Sequence, residues 1–246
     1  MKEISFTILE NKLIAEGTYR LRMTGDASAM TAPGQFVDLR VENGFLRRPI
    51  SVSDWDGLGV TLIYRAVGRG TRWLAAQNAG KTLDALTGLG SGFDLREAGD
   101  APLLVGGGVG AAPLYGLARR LREGGAAVIE ALGFRTGAEV FCEDDFRALG
   151  CRVSVATEDG SHGVKGFVTG ALPEAYSYVY ACGPTPMLRA LYRTVNTPAQ
   201  FSMEERMGCG FGACMGCTID TAAGAKRVCK DGPVFRKEEL LWQTQA

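Results

Sequence analysis

"APLLVGGGVGAAPLYGLARRLREGG" (residues 101–125) decides the fold. A short apolar run ends in glycines, the form of a buried parallel strand. An amphipathic helix follows and stops at Gly124 and Gly125. Gly106, Gly108 and Ala111 stand in G-x-G-x-x-A register between strand and helix, with Gly110 in the same turn. Glycines there let a backbone approach a pyrophosphate, and the helix start supplies N–H donors and positive potential. Tight strand–helix packing without a ligand would use the same residues. The strand–turn–helix context favours a nucleotide.

The alternation continues outward. "AAVIEALGF" reads as a strand and "AEVFCEDDFRALG" as a helix. "CRVSVATEDG" and "YSYVYACGP" read as strands, "TPMLRALYRTV" as a helix and "AQFSMEE" as a final strand. Strands alternating with helices predict a doubly wound α/β unit with a parallel sheet. Glu130 lies about 20 residues beyond the glycines, where an acid can bind a ribose; a plain strand-end charge is the equal alternative. In "ACGPTPML", Cys182, Gly183 and Pro184 fall at the carboxyl edge of the sheet, where such sheets bind ligands. Cys182 reads either as a buried small residue or, beside that crevice, as a cofactor contact.

Upstream of about Arg96 the rhythm is different. "ISFTILENKLIAEGTYRLRM", "GQFVDLRVE" and "GVTLIYRAVG" alternate with period two, punctuated by "TAPGQ", "ENG", "DGLG" and "GLGSG". Short strands with frequent turns predict a small antiparallel barrel. In "LRRPISVSD", Arg48 has the fork geometry of a phosphate clamp, and Ser51 can donate to a ring nitrogen or carbonyl. "LIYRAVGRGTRWL" adds Tyr64 and Arg65, then Gly70 and Thr71 before a helix, a second phosphate-cradling position. Read by composition, these are equally strand residues and a cap.

"ERMGCGFGACMGCTI" (205–219) brings Cys209, Cys214 and Cys217 together, and Cys229 follows. C-x4-C-x2-C matches the run that ligates a [2Fe–2S] cluster in plant-type ferredoxins, although the last gap here is shorter. The glycines between allow the chain to wrap one point. Structural zinc would place two knuckles either side of a spacer, and disulfides suit neither an odd cysteine count nor a reducing compartment. Cys142 and Cys151 stand outside the run and read as buried small residues.

The 246 residues carry 27 basic and 27 acidic side chains and are 46% hydrophobic. The balanced charge argues against a nucleic-acid footprint. No apolar run approaches a membrane span, and the start lacks a secretion signal, so a cytoplasmic protein is expected.

Together, "RPIS", "GGGVGAAPL" and "ACGPTPML" resemble the ferredoxin–NAD(P) reductase superfamily. The tail "ERMGCGFGACMGC…CKDGPVF" makes the chain similar to the electron-transfer subunits of NAD-dependent (type B) dihydroorotate dehydrogenases. The resemblance runs over essentially the whole length. It implies an FAD-binding β-barrel over 1–98, an NAD-binding α/β domain over 99–203 and a [2Fe–2S] domain over 204–246. It implies FAD contacts at Arg48, Pro49, Ile50 and Ser51, at Ile63, Tyr64 and Arg65, and at Gly70 and Thr71. It makes Cys209, Cys214, Cys217 and Cys229 the cluster ligands. "ATEDGSHGVKGFVTG" also matches, without assigned roles. The implied function carries electrons from dihydroorotate oxidation, at the FMN of a partner catalytic subunit, through the cluster and FAD to NAD+, in pyrimidine biosynthesis. Two copies of each subunit assemble in that family. Reductase subunits serving ferredoxin, a hydrogenase or a sulfide-linked complex share the outline. No catalytic side chain is required, because the cofactors carry the chemistry. The only histidine, His162, reads as a solvated loop residue.

Overall fold

The computed structural model describes residues 1–42 and 44–242. The first six strands are β1 (Lys2–Ala15), β2 (Thr18–Thr24), β3 (Phe36–Leu39), β4 (Arg48–Asp56), β5 (Gly59–Arg65) and β6 (Thr82–Leu89). They close an antiparallel barrel in the order β1-β2-β5-β4-β3-β6. Alternate residues turn inward, as the strand period requires: Phe6 and Ile8, Leu21 and Met23, Leu62 and Tyr64 fill its centre. Between Leu62 and Tyr64, Ile63 faces the other way and joins the core of the next unit. A short helix, α1 (Arg69–Ala75), lies between β5 and β6.

The chain then alternates β7 (Leu103–Gly107), α2 (Ala112–Glu123), β8 (Ile129–Phe134), α3 (Glu143–Ala148), β9 (Arg152–Thr157), β10 (Val164–Lys165), β11 (Val179–Cys182), α4 (Thr185–Thr194) and β12 (Ala199–Ser202). The C-terminal segment folds as the hairpin β13 (Thr218–Thr221) and β14 (Gly224–Arg227), the helical turn α5 (Val228–Asp231) and β15 (Val234–Arg236). The large sheet runs β10-β9-β8-β7-β11-β12-β15, parallel except for β15. The cysteine-bearing tail thus supplies the last strand of the nucleotide-type sheet. Leu104 of β7 packs into one core, Leu103 and Val105 into another on the opposite face, as for a sheet covered on both sides.

The predicted helix over "AEVFCEDDFRALG" is shorter. Gly137–Glu139 form a 3-10 turn, and α3 begins only after Cys142, which holds a left-handed φ of 59°. The turn carries Glu139 toward the barrel, where it pairs with Arg65.

Barrel and sheet are joined mainly through α2 and β4. Gly116 lies so close to the Ser53 carbonyl that a Cβ there would come within 2.7 Å of its oxygen. Beside it, Arg119 forks onto Asp54 with Nη2–Oδ1 2.8 Å and Nε–Oδ2 3.1 Å. Arg120 covers the Trp55 ring at 3.5 Å. A third link comes from Gln200 of β12, whose amide both accepts from Asp94 N–H (2.8 Å) and donates to Asp94 O (2.9 Å). These contacts hold the carboxyl edge of the sheet against β4 and β5, where the predicted site residues lie.

Candidate functional site

The barrel presents the first part. Arg48, at the start of β4, lies over the first turn of α1, and a Cβ on Gly70 would overlap its guanidinium. Its Nη1 donates to the carbonyls of Leu46 (2.7 Å) and Arg47 (3.0 Å). It forms no salt bridge among the described residues, which leaves the rest of the fork for an anion. Arg48, Arg69, Gly70 and Trp73 line a cavity of about 220 Å³. These residues fit the phosphate end of a dinucleotide cofactor. Thr71 is placed differently. Its hydroxyl accepts the N–H groups of Val67 and Gly68, both at 3.1 Å, and so holds the turn before α1. Ile50, Ile63 and Tyr64 are buried in the cores. Tyr64 stacks on Tyr19 and donates to Asn11 Oδ1 at 3.0 Å, so what this stretch offers a cofactor is backbone.

The second part is the carboxyl edge of the large sheet. Gly108 takes a left-handed φ of 52° with open space on its Cβ side. At Gly110 a Cβ would overlap the Cys182 carbonyl, so only glycine lets the β7 turn and the β11 end cross. Gly106 packs on Ala111, the strand–helix packing role. Gly107, Gly108, Gly133, Arg135, Glu158, Phe167, Pro184 and Met187 line a cavity of about 510 Å³, with Arg65 of the barrel and Glu139 on its wall. Glu130 is absent from it. It sits near the amino end of β8, fully buried, with neither carboxylate oxygen partnered. The ribose reading of Glu130 is therefore overturned: counting from the glycines reached the right strand but its wrong end. Burial holds its pKa well above the ordinary glutamate value. His162 is half-exposed on the loop after β9, its ring Nε2 2.7 Å from Glu143 Oε2.

Where the two parts meet, Pro49 and Ser51 of β4, Cys182 of β11, and Met203, Glu204 and Met207 line a third cavity of about 410 Å³. Cys182 is buried, and its thiol is pushed up to about 12, first by burial and then by the nearby Glu204 charge. It is a neutral thiol at neutral pH. Glu204 escaped the sequence reading, since an acid after a strand carries no motif.

The chain leaving this cavity leads directly to Cys209. Ala213 N–H and Cys214 N–H donate to Cys209 Sγ at 3.2 and 3.4 Å. Gly216 N–H donates to Cys214 Sγ at 3.5 Å, and Cys229 N–H to Cys217 Sγ at 3.4 Å. Burial raises the Cys209 thiol, but the N–H groups of Cys214, Phe211 and Ala213 outweigh it and leave it lowered to about 6. Cys229 is pushed to about 12 by burial and by Cys217. Cys209 interacts with Cys214, and Cys229 with both Cys217 and Cys209, so the four thiols lie in one neighbourhood. Among the described residues no three metal-binding side chains gather as one ion would require. Four sulfurs in one neighbourhood, three of them accepting backbone N–H donors, suit an iron–sulfur cluster better than a single zinc. Asp38 of β3, also missed in the sequence, is buried beside Gly210 with Oδ1 unpartnered, and burial raises its carboxyl to about 6.

Comparison with known proteins agrees with this layout. The model of the iron–sulfur cluster binding domain of dihydroorotate dehydrogenase B matches residues 204–241. The chain is 46% identical over 250 residues to the dihydroorotate dehydrogenase B (NAD(+)) electron transfer subunit of Bacillus caldolyticus, covering 96% of this chain and 97% of the relative. It is 45% identical over 256 residues to that of Shouchella clausii, covering 98% of each. Among solved structures, a chain of the NADH-dependent reduced ferredoxin–NADP oxidoreductase superposes with a TM-score of 0.86 at 31% identity, over 97% of this chain and 90% of that one. Phthalate dioxygenase reductase, at 19% identity and a TM-score of 0.63 over 77% of this chain and 63% of that one, shares the fold. With barrel, sheet edge and paired cysteines all in one arrangement, and relatives of near-equal length at this identity, the chain belongs to the family of dihydroorotate dehydrogenase B (NAD(+)) electron transfer subunits.

Proposed function

We propose that this chain is the electron-transfer half of a two-subunit oxidoreductase. It takes electrons from dihydroorotate oxidation at the FMN of a catalytic partner and carries them through a [2Fe–2S] cluster and FAD to NAD+, in the pathway that makes UMP. The observation that carries the reading is the 410 Å³ cavity, where Ser51 of the barrel, Cys182 of the sheet edge and the segment leading to the cysteines meet. A flavin bound there would exchange hydride with a nicotinamide and single electrons with the cluster, which is the chemistry the cofactors supply.

The protein's own residues position these groups. Arg48 and Gly70 would hold the FAD phosphates, Pro49 and Ser51 the ring, and the backbone of Ile50, Ile63, Tyr64 and Arg65 the flank. Gly106, Gly108 and Gly110, with Cys182, Gly183 and Pro184, would form the floor for the nicotinamide dinucleotide. Thr71 contributes by fixing the turn before α1. The four cysteines would hold the cluster. We assign 1–98, 99–203 and 204–246 as the three functional segments, with β15 of the last completing the sheet of the second.

Cys214 is exposed, and Phe211 and Met215 beside it are large apolar side chains 43% and 54% exposed. Such a rim suits a protein partner, and we place the catalytic subunit there, in an assembly of two copies of each subunit in the cytoplasm. No helix among the described residues is long and apolar enough to cross a membrane.

The likeness to the ferredoxin–NADP oxidoreductase chain favours one second reading, a reductase subunit serving ferredoxin. Reconstitution decides between them. Alone, the chain should reduce artificial dyes with NADH and leave dihydroorotate untouched. With the FMN-containing partner it should let dihydroorotate reduce NAD+. Reduction of ferredoxin instead, with dihydroorotate ignored, would establish the second reading.

A further inference from the structure

We infer that Asp38 lowers the reduction potential of the cluster, as a negative charge built into the seam between the barrel and the cysteine loop. The inference rests on the reading of residues 204–246 as the segment that holds the cluster.

Strand geometry places the carboxylate. On β3, Val37 and Leu39 point into the barrel core, so Phe36 and Asp38 face outward. The pairing of β3 with β4 sets Phe36 opposite Ser51 and Asp38 opposite Pro49. Phe36, Pro49 and Ser51 all line the 410 Å³ cavity. Asp38 is the next position along the same strip, about 7 Å from Phe36 for a two-residue step. The cysteine segment closes over its other side. A Cβ on Gly210 would come within 2.6 Å of Asp38 Oδ2. Gly210, at a left-handed φ of 76°, has no Cβ, and the backbone next to Cys209 lies against the carboxylate. Asp38 thus stands between the cavity proposed for the flavin and the first of the four cysteines.

The carboxylate is not consumed by the fold. Asp38 is 2% exposed, and its Oδ1 has no hydrogen-bond partner. The nearby guanidinium groups bond elsewhere. Arg47 donates to the Asp38 backbone carbonyl at 3.4 Å and to Glu3 Oε1 at 2.5 Å, and Arg48 donates to the carbonyls of Leu46 and Arg47. The charged groups that act on Asp38 are these two arginines and Cys209. A buried carboxylate left without a bonded partner is costly to a fold, so packing alone does not account for it.

Its effect on the cluster has a definite sign. Reduction adds one negative charge to the cluster, and a neighbouring anion in a water-poor seam opposes that charge with little screening. Net charge and hydrogen bonds to the sulfurs both set such potentials. The backbone N–H groups that reach Cys209 and Cys214 favour the reduced state, and Asp38 works against them. In the proposed direction, from the partner's flavin toward NAD+, the lower potential favours handing each electron on to FAD.

The test is a redox titration of the FAD- and cluster-loaded protein at pH 8, followed by electron paramagnetic resonance. Asp38→Asn keeps the shape and removes the charge. It should raise the cluster midpoint by the equivalent of about tenfold in the ratio of reduced to oxidised cluster, about 59 mV for one electron, at unchanged iron content. Asp144→Asn removes an equal charge from a 99% exposed side chain on α3 and should leave the midpoint in place. If Asp38→Asn loses iron, Asp38→Ser, smaller and equally uncharged, takes its place. Loss of iron from both variants makes Asp38 a structural residue and overturns the inference. An unshifted midpoint overturns it too, as does an equal shift in Asp144→Asn. Wild-type protein reconstituted anaerobically that holds no iron overturns the cluster reading, and the inference with it.

Discussion

Arg65, at the end of β5 in the barrel, reaches across to the nucleotide-type unit and pairs with Glu139 at 2.6 Å. The Glu139 side chain is only 7% exposed and also holds Arg135. One carboxylate therefore ties the flavin-type barrel to the wall of the dinucleotide cavity.

Removing that tie should cost stability in a pH-dependent way. The hydrogen bond from Arg135, working against burial and aided by Arg65, holds the Glu139 pKa below its ordinary 4.5. A depressed carboxyl contributes stability above the unfolded pKa and loses it as pH falls through the folded one. Both arginines are partly exposed, so we expect Glu139→Gln to cost about 1–2 kcal/mol at pH 7. The difference from wild type should shrink below about pH 4.5. Denaturant unfolding at pH 7 and pH 4 measures it, and an equal difference at both would remove the ion pair as the cause.

Glu130 predicts the opposite sign. Its folded pKa is raised, so its unfavourable contribution is absent below the unfolded value and grows as pH rises above about 4.5. Glu130→Met keeps the volume and removes two unpartnered oxygens. It should stabilise the protein by about 1–3 kcal/mol at pH 7 and much less at pH 4. No gain in melting temperature at neutral pH would show that the carboxyl has a partner.

Arg48→Ala removes a charge-assisted contact of a class worth about 1.5–3 kcal/mol. FAD affinity should fall about tenfold or more, read as flavin fluorescence released on dilution. Unchanged retention would leave Arg48 a packing partner of Gly70 only.

Serine at Cys209, Cys214, Cys217 or Cys229 should abolish the iron–sulfur absorbance. Serine at the buried Cys142 or Cys151 should leave about two iron and two sulfide per FAD. Stoichiometric zinc in an anaerobic preparation, without iron, would contradict the cluster assignment.

Truncating the apolar rim, Phe211→Ala with Met215→Ser, should weaken binding of the catalytic partner about tenfold while dye reduction by NADH persists. Unaltered affinity by sedimentation would place the partner elsewhere.

The three-part organisation was legible because each part has a local signal. Period-two strands wrote the barrel, strand–turn–helix repeats wrote the sheet, and C-x4-C-x2-C wrote the cysteine loop. Arg48, Gly110 and the four cysteines could be proposed as site residues because backbone approach and sulfur convergence leave marks at fixed spacing. What the sequence could not decide depends on which end of a strand a residue occupies and on what crosses between units. Glu130 lies on a strand and Glu158 directly after one, yet the first is sealed near the amino end of β8 and the second is open just beyond the carboxyl end of β9. Thr71 has a phosphate-site motif, but its hydroxyl is taken by its own turn. Glu139, Glu204 and Asp38 gain their meaning from partners 74, 22 and 171 positions away (Arg65, Cys182 and Cys209). Spacing records contacts within one strand or turn, whereas burial and pairing between distant segments exist only after the chain has closed on itself.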